Sequence, residues 1–568
     1  MRRDSNDLSL VFEGEAGQGI QTVTAALLPV LRKIGFHVFS STEYMSRIRG
    51  GSNTTQIRIT GDKREAYVGR IDMLFALSRH ALEHLERRLT ADTVVFAEKG
   101  QFGDRACANC IDTPLKEMAE KAGGMLFANT VAAGVVLGVL GVPPDNFIAY
   151  LKEQFAAKGD ETVSKNIVAA KLGYDFGVQC PAAGRFVLPE PGVQDPDSLL
   201  MDGNSALGIG AVAAGCNFIC SYPMSPGTGL LTFLAARSKE FGIVVDQAED
   251  EIAAINAGLG ASYAGAKSLV TTSGGGFSLM QEGMSLAGMI ETPVVVHLGQ
   301  RPGPATGLPT RTEQGDLNLA LHAGHGDFAR AIFAPGNLEE TIEAIQRAFD
   351  VAQRYQIPVV VLTDQYLLDA VSTIAVSRVR RIPVSSGIVP TVDGYRRYEL
   401  TPDGISPRGV PGYGEGIVRV DSDEHDESGL ITESFEMRRL MVEKRLARRE
   451  GIRREAMPPT LIGDPDSAET LVVAWGSTRG VLEEALDMLE TTRIAGVHFA
   501  QPYPVNPSAT DLFGDRRIAV LENNATGQFA DLLTLQTGKT VTHSILKATG
   551  EPFSVEEVVE ALRELDHD

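Results

Sequence analysis

At 568 residues, with 43% hydrophobic and 22% charged side chains, the chain is too long for one core and too well patterned for disorder. Its formal charge of −21 excludes nucleic acid or an anionic membrane as a general partner. No apolar signal segment follows Met1-Arg2-Arg3, and the longest apolar stretch, residues 131–142, is too short to span a bilayer, so a cytoplasmic protein is expected.

An apolar run predicts a strand over 8–12, which stops at the glycine turn Gly14-Glu15-Ala16-Gly17-Gln18-Gly19. A helix over 23–34 follows, ended by Gly35. Further strands at 93–96 and 125–127 continue the alternation and suggest a parallel sheet. This first domain is placed at 1–186, and the proline-rich stretch 187–198 reads as a linker. A second α/β domain, 199–381, has strands at 216–222, 243–246, 268–272, 293–298 and 358–362, interleaved with helices at 228–239, 250–264 and 338–354. That alternation fits a doubly wound sheet. Residues 382–467 form an excursion rich in Gly, Pro and charge, then a basic helix over 433–449. The helix is expected to be solvated and to cover another domain; contact with a partner or an anionic cofactor tail is the alternative. A last α/β domain, 468–568, has strands at 470–475, 494–499 and 517–521 and a helix at 527–535.

Five cysteines, an odd number in a long chain, point to a reducing compartment. Cys107 and Cys110 form a lone CxxC and are read as buried or loop thiols, with metal or redox use left open. Cys180, Cys216 and Cys220 share no spacing with them, and the C-x2-C-x2-C-x3-C run of a bacterial ferredoxin is absent. His322, His325 and His425 are read as hydrogen-bonded surface or interface residues, and no metal site is assigned to the chain.

The most informative stretch runs from Val244 to Gly260. A strand pattern ends in Glu249-Asp250-Glu251 and becomes a helix rich in small residues: Ala253, Ala254, Ala257, Gly258, Gly260 and Ala261. Acidic residues cap a helix start and suit its dipole. The small residues cost helix stability and let another backbone or a ring approach closely. Glu251, Ala254 and Gly260, at this spacing, resemble the pyrimidine-binding helix of thiamine-diphosphate enzymes. There the glutamate hydrogen-bonds N1′ of the aminopyrimidine, so that the cofactor's own N4′ serves as the base.

Neighbouring segments narrow the resemblance. Tyr222-Pro223-Met224-Ser225-Pro226 is similar to the Tyr-Pro-Ile-Thr-Pro turn of 2-oxoacid:ferredoxin oxidoreductases, with Ser225 keeping the hydroxyl. Ser273-Gly274-Gly275-Gly276 resembles the family's Ser-Gly-Pro-Gly, and the loop from Arg301 through Thr306, Thr310 and Arg311 resembles its Arg-Gly-Gly-Pro-Ser-Thr-Gly segment. The resemblance implies that Glu251 is catalytic and that Ser225, Arg301, Thr306, Thr310 and Arg311 bind substrate. Tyr222, Pro223, Ser273, Gly274 and Gln281 would then line the cofactor. Gly17, Gly19, Glu43-Tyr44, Arg47, Arg49 and Lys158…Asn166 resemble the family's gamma domain, fused here ahead of the alpha portion. That places Gly17, Gly19, Arg47 and Arg49 as contacts for coenzyme A phosphates, with packing of the glycine turn as the alternative. The last domain, with Gln501-Pro502-Tyr503-Pro504 and Glu522-Asn523-Asn524, resembles the transketolase C-terminal domain.

A Gly-Asp-Gly…Asn-Asn motif, which holds Mg2+ and the diphosphate in such enzymes, is not found in the sequence. The resemblance therefore implies a smaller beta subunit carrying that site and a [4Fe–4S] cluster, two of each chain in the assembly, and ferredoxin as acceptor. A fused gamma–alpha chain most resembles the 2-oxoglutarate enzymes, which make succinyl-CoA in a step that can run in reverse as in a reductive TCA cycle. Branched-chain 2-oxoacids, pyruvate and a non-oxidative thiamine-diphosphate decarboxylase or synthase stay open.

Overall fold

A computed structural model describes residues 7–45, 51–103, 107, 109–192, 197–489 and 492–567. The chain divides into two compact units, the first made of residues 1–201 and 370–376, the second of 202–369 and 377–568. The multidomain α/β class expected from the sequence is the class observed.

The first unit is built on an eight-stranded sheet. Its order is Cys110–Asp112, Val94–Ala97, Met73–Ala76, Asp7–Gly14, Asn53–Thr60, His37–Glu43, Val371–Ala375 and Ser198–Asp202. The first four strands run parallel, but Asn53–Thr60 is antiparallel to both of its neighbours, so the sheet is mixed rather than parallel. Residues 125–127, expected as a strand, form a 3-10 turn that leads into the helix Ala128–Val139. This helix holds most of the long apolar stretch, and it is buried because it packs on Asp160–Gln179 nearly backbone to backbone. Gly134 and Gly138 face Gly173 and Gly177, and a Cβ on Gly173 would lie 2.1 Å from the Val131 carbonyl oxygen. No single helix among the described residues is long and apolar enough to cross a membrane.

Cys107 is joined in a disulfide to Cys110, the first residue of the edge strand Cys110–Asp112, which corrects their reading as thiols; the other three cysteines are free and buried.

The second unit contains two sheets. The larger has six strands, all parallel, in the order Ala331–Phe333, Pro358–Asp364, Val294–Gln300, Ser268–Thr272, Phe218–Ser221 and Val244–Gln247. Five are the expected ones; Ala331–Phe333 is an addition at the edge. The smaller sheet has the three expected strands Thr470–Trp475, Ile494–Phe499 and Arg517–Glu522, with Thr460–Ile462 and His543–Leu546 at its edges. One apolar core unites them, holding Val296 and Leu298 together with Trp475 and Phe499.

The basic helix, Phe435–Arg454, departs from its expected solvation. Lys444, Arg445 and Arg448 are buried, while Arg438, Arg439 and Arg449 are exposed. Lys444 Nζ donates to both oxygens of Glu291, at 2.8 and 2.6 Å, and Arg448 also pairs with Glu291. Arg397, from the preceding excursion, donates to the Glu291 carbonyl at 2.6 Å. Helix and excursion are thus tied to the parallel sheet's domain by one buried carboxylate, which its cationic neighbours hold down to about 2 against the effect of burial.

Candidate active site

The residues singled out around Glu251 follow the C-terminal ends of four adjacent parallel strands, where open α/β sheets place ligands. Tyr222, Pro223 and Ser225 follow Phe218–Ser221; Glu251 follows Val244–Gln247; Ser273 and Gly274 follow Ser268–Thr272; Arg301 follows Val294–Gln300. Asp250 caps the Glu251–Tyr263 helix, its carboxylate accepting from Ala253 N at 2.7 Å. That fixes the register in which Glu251, 3% exposed, turns inward while Ile252 turns out.

Glu251 has a buried oxygen, Oε1, without a hydrogen-bond partner, and burial raises its pKa above the ordinary carboxylate value. Gly276 explains how the carboxyl fits, since a Cβ there would lie 2.4 Å from Glu251 Oε1 and 2.3 Å from Thr272 Oγ1. Two more buried oxygens around the same turn have no partner, Ser273 Oγ and Asp316 Oδ2. Asp316 stands against Gly274, where a Cβ would lie 2.4 Å from Asp316 Oδ1. Burial first, and then Glu313, push its pKa up to about 7, with Arg301 opposing. A buried polar atom left unpaired costs about 1–3 kcal/mol, so three around one turn are suited to a polar ligand. An acidic group offering a free oxygen to a ring nitrogen is what the aminopyrimidine of thiamine diphosphate requires, and Glu251 fits that need.

Arg301 and Ser225 are brought together, Arg301 Nη1 donating to the Ser225 carbonyl at 2.6 Å. Thr306 is exposed on the loop beyond Arg301, and Thr310 and Arg311 are half-buried farther along it. Gly307, at φ +54°, lets this loop fold on itself, because a Cβ there would meet the Pro302 carbonyl at 1.7 Å. Gln314 ends the segment in the core, donating from Nε2 to the Trp475 carbonyl at 2.6 Å and accepting from Asn523 N at 2.9 Å. Gln281 is placed differently from its expected cofactor role: its amide donates to Phe277 O and accepts from Gly324 N at 2.7 Å, holding a turn.

Sequence reading missed Asp316 and His297, and took Gly276 only as part of the Ser273–Gly276 resemblance. His297 is fully buried beneath the site, with Thr271 Oγ1 at 2.7 Å and Thr363 Oγ1 at 2.8 Å, and burial pushes its pKa down to about 3. It joins three adjacent strands as a neutral ring. Asp316 lies five residues beyond Arg311, where only the fold reveals its burial. His425 is buried against Tyr398, ring centroids 3.9 Å apart, whereas His325 is exposed and bonded to Ser285. Among the described residues no group of three or more His, Cys, Asp or Glu could hold a metal.

In the first unit, Gly17 and Gly19 have φ of +92° and +75°. A Cβ on Gly19 would sit 2.0 Å from Asn129 Nδ2, so packing alone requires that glycine, while Gly17 is open. Arg47 and Arg49 lie outside the described residues.

Large apolar side chains are exposed on the loops and helices that follow these strands, beside the exposed polar residues Asp246, Gln247 and Glu249. Tyr222, Ile252, Leu279 and Leu308 are each 40–50% exposed, and Gly260 has open space where a side chain would stand.

Residues 209–444 match the family described as pyruvate flavodoxin/ferredoxin oxidoreductase, thiamine-diphosphate-binding, and residues 9–176 match pyruvate ferredoxin/flavodoxin oxidoreductase. The alpha subunit of a Sulfolobus sp. 2-oxoacid:ferredoxin oxidoreductase is 30% identical, over 98% of this chain and 96% of its own. The chain belongs to the 2-oxoacid:ferredoxin oxidoreductase family. It is similar throughout to the alpha subunits of these oxidoreductases, including a Mycobacterium tuberculosis 2-oxoglutarate oxidoreductase subunit, 28% identical over 99% of this chain and 92% of that one. A solved 2-oxoglutarate:ferredoxin oxidoreductase from Magnetococcus marinus, with 2-oxoglutarate, coenzyme A and succinyl-CoA bound, shares the fold with a TM-score of 0.89 at 30% identity. The match covers 98% of this chain and 99% of that one. Within this 2-oxoacid:ferredoxin oxidoreductase subunit, the matched thiamine-diphosphate-binding region contains Glu251, Arg301 and Asp316.

Proposed function

We propose that the chain, with a smaller beta subunit, converts 2-oxoglutarate, coenzyme A and two oxidised ferredoxins to succinyl-CoA, carbon dioxide, two reduced ferredoxins and a proton. The observation that carries this reading is the buried, unpartnered Glu251 oxygen at the same end of the parallel sheet as the Arg301–Ser225 pair. Thiamine diphosphate, when bound, supplies the nucleophilic carbon that attacks the substrate's keto group. Glu251 holds the aminopyrimidine nitrogen through its free carboxyl oxygen, and burial raises its pKa above the ordinary carboxylate value. Tyr222, Pro223, Ser273 and Gly274 form the wall around the ring.

Arg301 takes the substrate's 1-carboxylate through its guanidinium fork, which Ser225 already orients. Ser225, Thr306 and Thr310 donate to the keto and carboxylate oxygens, and Arg311 receives the distal carboxylate that distinguishes 2-oxoglutarate from pyruvate and branched-chain acids. The coenzyme A phosphates are assigned to the Gly17–Gly19 turn with Arg47 and Arg49. Mg2+, the diphosphate site and a [4Fe–4S] cluster are assigned to the beta subunit, in an assembly of two of each chain. Exposed Tyr222, Ile252 and Leu279 on the segments that follow these strands support a partner on this side of the sheet. In domain terms we assign 1–186 as a gamma domain, 199–381 as the pyrimidine domain and 468–568 as the transketolase-type C-terminal domain.

The test is co-purification with the native partner, then coenzyme-A-dependent viologen reduction across a set of 2-oxoacids. Fastest turnover of 2-oxoglutarate is expected; no reduction with any 2-oxoacid in cluster-loaded, cofactor-supplied enzyme would refute the reading. Arg301→Ala is expected to abolish turnover while thiamine diphosphate still binds, measured by fluorescence titration.

A further inference from the structure

The second unit contains a cavity of about 330 Å3 whose lining includes Arg330, Arg449 and Arg453 together with Tyr503, Leu535 and Gln536. Three of its lining residues are arginines and none is a carboxylate, in a chain whose net charge is −21. Neither Arg330, Arg449 nor Arg453 has an ion pair among the described residues. The nearest helix carboxylates are engaged elsewhere, Glu450 with Arg454 and Glu455 with Arg354.

Arg330 is the fixed member. Its Nη1 donates to the carbonyls of Ala320, Leu321 and Ala323, at 3.4, 2.8 and 2.6 Å, and its guanidinium lies over the Phe328 ring, 4.3 Å from the centroid. Arg449 and Arg453 stand four residues apart on the Phe435–Arg454 helix, both exposed. Like charges at that spacing repel one another. The helix dipole favours a cation in the last turn, which accounts for Arg453. It does not account for Arg330, which enters from a different element and meets the repulsion of Arg449. Burial pushes the Arg330 pKa down to about 10, with Tyr503 opposing and Arg449 adding to the fall.

We propose that this arginine-lined cavity binds a phosphate group, free or as a small ester. Three guanidinium groups offer more donors than one planar carboxylate can accept, whereas a tetrahedral dianion can meet all three. The volume lies at the lower end of small-molecule pockets, roughly 300–1,000 Å3. Leu535, 76% exposed at the rim, gives an ester's organic part an apolar surface.

The site is remote from the one already described. Arg330 precedes Ala331–Phe333, whose register through Val359 matches it to Val295 at the start of Val294–Gln300. Arg301 follows the far end of that same strand. At about 3.3 Å per residue the two arginines are separated by roughly 20 Å along the strand direction. A phosphate bound here therefore acts on affinity or stability rather than on the reacting atoms, and its assignment does not depend on the proposed substrate.

The experiment is isothermal titration of the co-purified complex with inorganic phosphate and with pyrophosphate, at constant ionic strength in chloride. Saturable binding is expected, weakened about tenfold or more in an Arg449→Gln/Arg453→Gln double variant. Both substituted side chains are exposed, so the fold is kept, and circular dichroism checks it. Tighter binding of pyrophosphate than phosphate points to an ester as occupant; equal binding points to the free ion, and both support the site. Unchanged affinity in the double variant, or no saturable binding of either probe, overturns the proposal. Loss of the partner subunit from the double variant with phosphate binding intact also overturns it, because the arginines would then be facing a protein carboxylate.

Discussion

Gly276 and Asp316 show how closely the candidate site is fitted at the scale of single residues. A methyl group at Gly276 would collide with the Glu251 carboxyl and the Thr272 hydroxyl together. We expect Gly276→Ala to lower turnover by about a hundredfold or more by displacing Glu251, with the magnitude of a lost acid–base group. The check is thiamine-diphosphate affinity and turnover measured on the same preparation. Asp316 makes a pH statement. Its pKa is raised in the folded chain to about 7 from an ordinary 3.8, so the folded state binds its proton more tightly than the unfolded state. Below about pH 4 both states are protonated and no penalty exists. As the pH rises toward 7 and above, the buried charge costs stability. Asp316→Asn is therefore expected to flatten the fall in melting temperature between pH 4 and 8. At pH 8 it should stabilise the chain by on the order of 4 kcal/mol.

Among the elements, the Phe435–Arg454 helix has the clearest energetic signature. Its Lys444 and Arg448 meet Glu291 with all three side chains essentially excluded from water. Removing one member of such a group leaves uncompensated buried charge, so Glu291→Gln is expected to cost about 3–5 kcal/mol in urea denaturation. The Glu291 pKa is depressed in the folded state, so its contribution is present above about pH 4.5 and lost as pH falls toward 2. The variant should lack that acid-dependent loss. The basic residues were visible in the sequence, but their partner was not, since Glu291 lies more than a hundred positions away and looks like an ordinary loop carboxylate. Strands whose burial is apolar were legible: Ser268–Thr272, Thr470–Trp475 and Ile494–Phe499 lie at the expected residues. Asn53–Thr60 was not, because it is wholly buried yet mostly polar. Its Arg58 is satisfied by Asp7 at 2.5 Å and its Gln56 by Ser9 and Val68. Polarity there signals paired burial, and alternation is hidden. At the site, motif positions on strand ends could be read directly, whereas Asp316 and His297 become informative only through what surrounds them.

For the whole molecule, the two units are not consecutive pieces of chain. Residues 370–376 return to the first unit, where Val371–Ala375 fills the place between His37–Glu43 and Ser198–Asp202. A fragment of residues 1–201 would therefore keep seven strands but leave a gap in the row, exposing an edge of His37–Glu43 that natural proteins protect. We expect that fragment to aggregate where the full chain is soluble, as measured by light scattering. The same fragment with the missing strand appended after a flexible linker should recover. The interruption also has a consequence during synthesis. The bridging strand leaves the ribosome about 170 residues after Ser198–Asp202, a wait of roughly ten seconds or more at ordinary elongation rates. Through that interval the nascent first unit carries an open seam that a chaperone can hold, and the seam closes only after the whole parallel sheet of the second unit has been translated.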